Sequence, residues 1–178
     1  MSSGGATRSA APLPEGVTIP GVLLRFLERA SLAFAGTRGR DLVPHFHWVS
    51  GWAVEPDHAS VAFFVGEPFS ERLLRDVAEC QRLALTIEHI GPHETYQFKG
   101  GFAGSRPMGP AEVVAFEACR ERFIRDVLAI DTRWGFSREA LGRYHSRPAL
   151  AVVLGIGEVF LQTPGPGAGR RLVPPEAP

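Results

Sequence analysis

Apolar positions along the chain switch between two periods, and the switches mark the elements. Val22, Leu23, Phe26, Leu27 and Ala30 recur at three- and four-residue steps, the stripe of an amphipathic helix, and Pro20 suits its first turn. Ser31 to Gly36 reads as a short apolar strand, and Arg38-Gly39-Arg40-Asp41 as the turn of a hairpin. The following strand runs from Leu42 to about Val54. Alternation puts Leu42, Phe46 and Trp48 on one face and Val43, His45, His47 and Val49 on the other. Gly51 can host a bulge that exchanges the faces partway. Glu55-Pro56-Asp57 is a turn, and Ser60 to Val65 a buried strand.

Ser70 is placed to cap the next helix, which carries Leu73, Leu74 and Val77 inward. Leu83, Leu85 and Ile87 alternate with Ala84, Thr86 and Glu88 in a half-buried strand. Gly91-Pro92 turns the chain into another strand, Thr95 to Gly104. Gly109-Pro110 opens the longest helix, which runs to about Ile130 with Phe116, Cys119, Phe123, Val127 and Ile130 on one face. Ser137 caps one further short helix. Ala149 to Phe160 is a nearly all-apolar strand with Gly155 and Gly157 as bend points, and Thr163 to Gly169 ends regular structure. The pattern shows neither an internal repeat nor the alternation of a parallel sheet. It predicts a mainly β (α+β) fold, a six-stranded antiparallel barrel with flanking helices. Its core would centre on Phe34, Phe63, Leu85, Ile87, Phe98 and Val152, covered by Phe116 and Phe123.

Composition narrows the class. A chain of 178 residues is most simply one domain, long enough to bury roughly 70% of its unfolded surface. We divide it into an N-terminal tail (1–17), a barrel domain (18–162) and a Pro/Gly-rich C-terminal tail (163–178), the first expected to be disordered for want of residues to bury. Lys plus Arg and Asp plus Glu are both 19, so no net field recruits nucleic acid or an anionic membrane, and any anion site must be local. No run reaches the roughly 20 apolar residues of a membrane span, and the first residues lack the apolar stretch of a signal peptide. The two cysteines, Cys80 and Cys119, have no metal-like spacing and fit a reduced, cytoplasmic setting.

Candidate chemistry concentrates between Pro44 and Gly104. His45 and His47 project from one strand face, and imidazoles so placed can share a metal. No Asp, Glu or Cys nearby in sequence supplies a third ligand, so the expected metal content is none. A strand histidine beside Trp48 can instead hydrogen-bond a carbonyl of a bound ligand or meet solvent at an interface. The Gly-Pro loop at 163–169 resembles a phosphate cradle only superficially, because two prolines remove amide donors and no helix follows.

The order of these elements over residues 22–162 resembles the FMN-binding split β-barrel of the pyridoxamine 5'-phosphate oxidase family. The segment Phe63-Phe64-Val65-Gly66-Glu67-Pro68-Phe69-Ser70-Glu71-Arg72 carries most of the likeness, as does Tyr96-Gln97-Phe98-Lys99-Gly100. The resemblance implies that Phe64 and Val65 lie along the flavin or its ribityl chain. It also implies that Ser70 and Arg72 grip the phosphate at a helix start, and that Gln97 or Lys99 reaches the flavin. It further implies a homodimer with the cofactor at the seam. His45, His47 and Trp48 complete the candidate site. One departure stands out: the family's basic Ser-Arg-Lys is Ser-Glu-Arg here, an acid where an anion should sit. The oxidase's own Arg-x-His has no match around Tyr144-His145-Ser146-Arg147, so pyridoxal phosphate synthesis is not implied.

The leading expectation is therefore an FMN-binding protein acting as an oxidoreductase on an unread substrate. A binding module holding haem, a deazaflavin or another planar ligand on the same barrel is the alternative. A scaffold with an eroded site, kept for a protein partner, is the third.

Overall fold

The computed structural model describes residues 17–131, 133–145 and 148–173. Of the tail expected over 1–17, residues 1–16 lie outside them, as do Thr132, Ser146, Arg147 and 174–178; Val17 is described, and its N–H donates to the Ile156 carbonyl at 2.9 Å. Helix α1 (Gly21–Arg29) leads into β1 (Leu32–Arg38), β2 (Pro44–Val49), β3 (Gly51–Val54) and β4 (Ser60–Val65). Helix α2 (Glu67–Cys80) precedes β5 (Arg82–His89) and β6 (Glu94–Pro107). Helices α3 (Pro110–Ile130) and α4 (Arg138–Tyr144) are followed by β7 (Leu150–Leu161) and β8 (Arg171–Val173). Among the described residues no helix is long and apolar enough to cross a membrane.

The strands form one antiparallel sheet in the order β2-β1-β5-β6-β7-β4-β3, with β8 added to β7. The two ends of that order, β2 and β3, are successive pieces of one chain segment. β2 pairs with β1 from Arg38↔Pro44 to Ala33↔Val49, and β3 pairs with β4 from Gly51↔Phe64 to Val54↔Val61. Between them Ser50 donates its N–H to the Phe64 carbonyl at 2.8 Å. A single segment thus holds both margins of the sheet and curls it into a split barrel.

The exchange of faces expected at Gly51 occurs. His47 and Val49 point inward on β2, and after Ser50 the inward side chain is Trp52. The six expected strands are present, the second divided at Ser50. The short strand β8 was not anticipated: after the Pro/Gly turn Arg171–Val173 returns to β7 and buries Val173 in the core, so regular structure does not end at Gly169.

One buried cluster fills the barrel, drawing Phe63, Leu85, Ile87, Phe98 and Val152 from the strands. Leu23, Phe26 and Leu27 of α1 and Leu73 and Val77 of α2 join it. Their helical spacing gives each helix one apolar face to bury. Phe34 is a correction: its strand neighbours Ala33 and Ala35 face inward, and Phe34 lies on the outer face against Phe46 and Trp48. Outside the barrel, α3 covers β3 and β4. Phe116 packs with Ala62, Phe64 and Ala151, and Phe123 and Ile124 pack with Leu141 of α4. Gly51 permits this close approach, since a Cβ there would meet the Cys119 Cβ at 3.0 Å. Another close approach joins β6 to β7, where a Cβ on Gly100 would collide with the Gly155 carbonyl as the register shifts between Lys99 and Gly100.

Candidate functional site

Antiparallel partners share a sheet face, so the register alone defines a row across five strands: Phe46, Gly36, Ala84, Lys99 and Glu158. Phe98 beside Lys99 is inward and buried, which fixes the row on the outer face. Gly36 and Ala84 make its floor, and a Cβ on Gly36 would meet no atom within 4 Å. A cavity of about 720 Å³ opens over this floor and reaches the barrel end at Thr37 and His45, bounded by Arg38, Pro44, Arg82, Lys99 and Glu158. That volume lies within the usual roughly 300–1,000 Å³ of small-molecule sites.

Three cations border the cavity without an ion-pair partner among the described residues: Arg38, Arg82 and Lys99. Lys99 sits 4.4 Å from the centre of the Phe160 ring, a cation–π contact that leaves its ammonium hydrogens available. The one carboxylate on the wall, Glu158, is drawn to Arg171 at 3.4 Å.

At the barrel end the cavity meets a buried polar network. Asp76 on α2 is only 1% exposed. Its Oδ2 accepts from the Thr37 hydroxyl at 2.6 Å and bonds His45 Nδ1 at 2.8 Å, and its Oδ1 accepts from Arg72 Nε at 3.0 Å. His47, 3% exposed, places Nε2 2.7 Å from the Thr37 hydroxyl oxygen. Burial alone would push the Asp76 carboxyl up. The hydrogen bonds from Thr37 and His45, with the charges of His45 and Arg72, outweigh it and hold the carboxyl below its ordinary value. For His47 burial is the largest influence and holds the imidazole below its ordinary value, against the attraction of Asp76.

Apart from Ser70, the expected site residues separate into three places. His45 and Lys99 line the cavity together, with His47 and Arg72 behind His45 through Asp76 and Thr37. Gln97 lies one row away on the same outer face, its amide donating to the Thr86 hydroxyl at 3.0 Å. Trp48 lies in that neighbouring row too, packed edge-on to Phe34, Phe123 and His145. Phe64 and Val65 have no exposed surface: Phe64 is sealed beneath α3 and Val65 inside the barrel, so neither side chain is open to a ligand.

The helix-start phosphate site needs correction. α2 begins at Glu67 with Gly66 as its N-cap and a proline in its first turn, so Ser70 stands inside the helix and does not cap it. A proline at the helix start carries the chain into helical geometry four residues sooner than the serine suggested. Arg72 spends its guanidinium on Asp76 and, at 3.8 Å, on Asp41. Neither Ser70 nor Arg72 lines the cavity. Sequence reasoning missed Asp76, whose signal was a lone acid between the inward-facing Leu73 and Val77. It also missed Arg82, whose only signal was its place at the head of a strand. Among the described residues no group of three or more His, Cys, Asp or Glu side chains is arranged to hold a metal ion.

No family model matches the chain, and no curated protein matches it. Solved structures do. HupZ of Group A Streptococcus superposes with a TM-score of 0.51 at 11% identity, covering 85% of this chain and 100% of that one. A pyridoxamine 5'-phosphate oxidase-related, FMN-binding protein from Nostoc punctiforme gives 0.44 at 13%, over 83% and 85% of the two chains. An FMN-binding protein from Syntrophomonas wolfei gives 0.43 at 12%, over 78% and 87%. The chain has the split-barrel fold of the pyridoxamine 5'-phosphate oxidase-like proteins.

Proposed function

We propose that the protein binds FMN in the outer-face cleft and works as a flavin-dependent oxidoreductase, assembled as a homodimer. The observation that carries this reading is the trio Arg38, Arg82 and Lys99, unpaired around a floor of two small residues, Gly36 and Ala84. Three free cations on a neutral chain are a local anion site, and guanidinium forks match phosphate oxygens. A floor without side chains lets a flat ring lie close to the backbone. The flavin, when bound, supplies the redox chemistry; the chain binds, orients and hydrogen-bonds it. The phosphate contacts therefore move from Ser70 and Arg72 to Arg38, Arg82 and Lys99. Phe46, 68% exposed at the end of the same row, supports the dimer, since an aromatic that open is an anchor in search of a partner surface.

One observation favours a second reading, haem in the same cleft. His45 lies on the cavity wall with Nδ1 bonded to a buried carboxylate, the arrangement that orients a metal-ligating imidazole. The absorbance spectrum of the purified chain, before and after addition of FMN and of haemin, separates the two. Flavin bands are expected. A haem Soret band with no flavin uptake would replace the first reading with the second. Neither spectrum would leave the barrel a scaffold for a protein partner.

A further inference from the structure

The geometry points to His45 as the residue that reads a proton-donating group of the ligand, through the bare Nε2 that its neutral ring presents at the cleft when Asp76 takes the proton on Nδ1. The proton positions follow from counting. The Thr37 hydroxyl has one hydrogen, and it goes to Asp76 Oδ2 at 2.6 Å. The Thr37 oxygen must then accept from His47, so His47 carries its proton on Nε2. Asp76, an ionised acceptor, also takes the proton on His45 Nδ1 at 2.8 Å. In its neutral form His45 is left with a bare lone pair on Nε2.

That atom has no hydrogen-bond partner and is not among the buried unpartnered atoms, so it is open to solvent, and the residue lines the cleft. The Arg72 Nε bond to Asp76 Oδ1, at 3.0 Å, fixes the carboxylate from its other side. A lone pair presented so rigidly selects a ligand bearing an N–H or O–H at that point and rejects one presenting only acceptors, because a buried mismatch leaves both groups unsatisfied. Within the flavin reading, on which the choice of probe rests, the donor is the imide N–H of the isoalloxazine ring. Arg38 and Lys99 meanwhile take the anionic end.

Two measurements on the full chain test this. Histidine-ring nitrogen NMR of the ligand-free protein should find neutral His45 protonated on Nδ1, and Asp76→Asn should move the proton to Nε2, since an asparagine amide can donate to Nδ1. Fluorescence titration should find that the wild type prefers FMN over an analogue methylated on the imide nitrogen by about tenfold, which is ~1.4 kcal/mol. That preference should vanish in His45→Phe and in Asp76→Asn, each compared per folded molecule. An Nε2-protonated His45 in the wild type would overturn the proposal, as would a preference that survives His45→Phe. If the wild type binds neither compound, the flavin reading of the cleft fails, and the ring tautomer still decides the role of His45.

Discussion

The two halves of the segment 44–54 were built from the same kind of sequence and met opposite fates. β2 offers His45, Phe46, His47 and Trp48, and only His47 is buried. β3 begins with Gly51 and Trp52, both buried, and lies under α3. Trp52 donates its indole N–H to the Leu27 carbonyl at 3.1 Å, and Gly51 meets Cys119. In the second half a helix covers the strand, and its one polar side-chain group, the Trp52 indole N–H, is spent on the Leu27 carbonyl. In the first half the outer face is left open beside the Gly36–Ala84 floor, and the inner face carries a polar network at the barrel end. Cover decides where chemistry can sit: a helix that packs tightly on a strand removes it from function.

The largest effect expected from disturbing this contrast is in the covered half. Phe64→Ala should cost about 3–5 kcal/mol in denaturant melts, because it leaves a cavity in the buried layer that Phe64 shares with Phe116, Ala62 and Ala151. Ligand binding per folded molecule should be unchanged. A loss below about 1 kcal/mol would place Phe64 outside the packed layer.

In the open half, Asp76→Ala removes the acceptor of a buried hydroxyl and should cost about 1–3 kcal/mol for Thr37 alone. The pH dependence has a definite sign. The folded Asp76 carboxyl lies below its ordinary 3.8, so its contribution is present above 3.8 and is lost as pH falls through the lower folded value. Wild type and Asp76→Ala should therefore converge in stability in that acid range. A gap that stayed constant would mean the carboxylate is not what the fold holds ionised.

A smaller effect compares the halves through their histidines. Burial lowers both His47, in the open half, and His145, whose Nδ1 lies 2.9 Å from the Ser50 carbonyl at the junction. The unfolded chain binds more protons than the fold just below 6.5, so stability should fall as pH drops from 6.5. Replacing either histidine by glutamine should flatten that slope in melts collected across the range. A slope untouched by both replacements would assign it to other groups.

The smallest effect on stability belongs to the most exposed aromatic. Phe46→Glu should change stability by less than about 0.5 kcal/mol while shifting light-scattering mass from dimer to monomer. A wild-type monomer would remove Phe46 as an anchor.

Much of the fold was legible because period and turn chemistry are local. The stripe Phe116, Cys119, Phe123 gave α3, and Gly51 gave the exchange of faces that closes the barrel. Phe34 was misread because alternation identifies two faces without saying which is inside; the alanines beside it hold the interior. The site was legible only in part. His45 was singled out from its strand position and Lys99 from the resemblance, and both line one cavity; Asp76, which bonds His45, and Arg82, which shares the cavity wall, stand on other elements, and such pairing leaves no mark in a single sequence. Arg72 looked free although Asp76, four residues on along the same helix, is at ion-pair spacing; its second carboxylate, Asp41, stands outside the helix and left no such mark.

The most direct test of the central claim is the affinity of the wild type for FMN against riboflavin, by flavin fluorescence titration. FMN should bind roughly ten- to a hundredfold more tightly, the worth of one charge-assisted hydrogen bond of about 1.5–3 kcal/mol. Lys99→Ala should erode that preference and Arg72→Ala should not. Equal affinity for the two flavins would contradict an anion site at Arg38, Arg82 and Lys99.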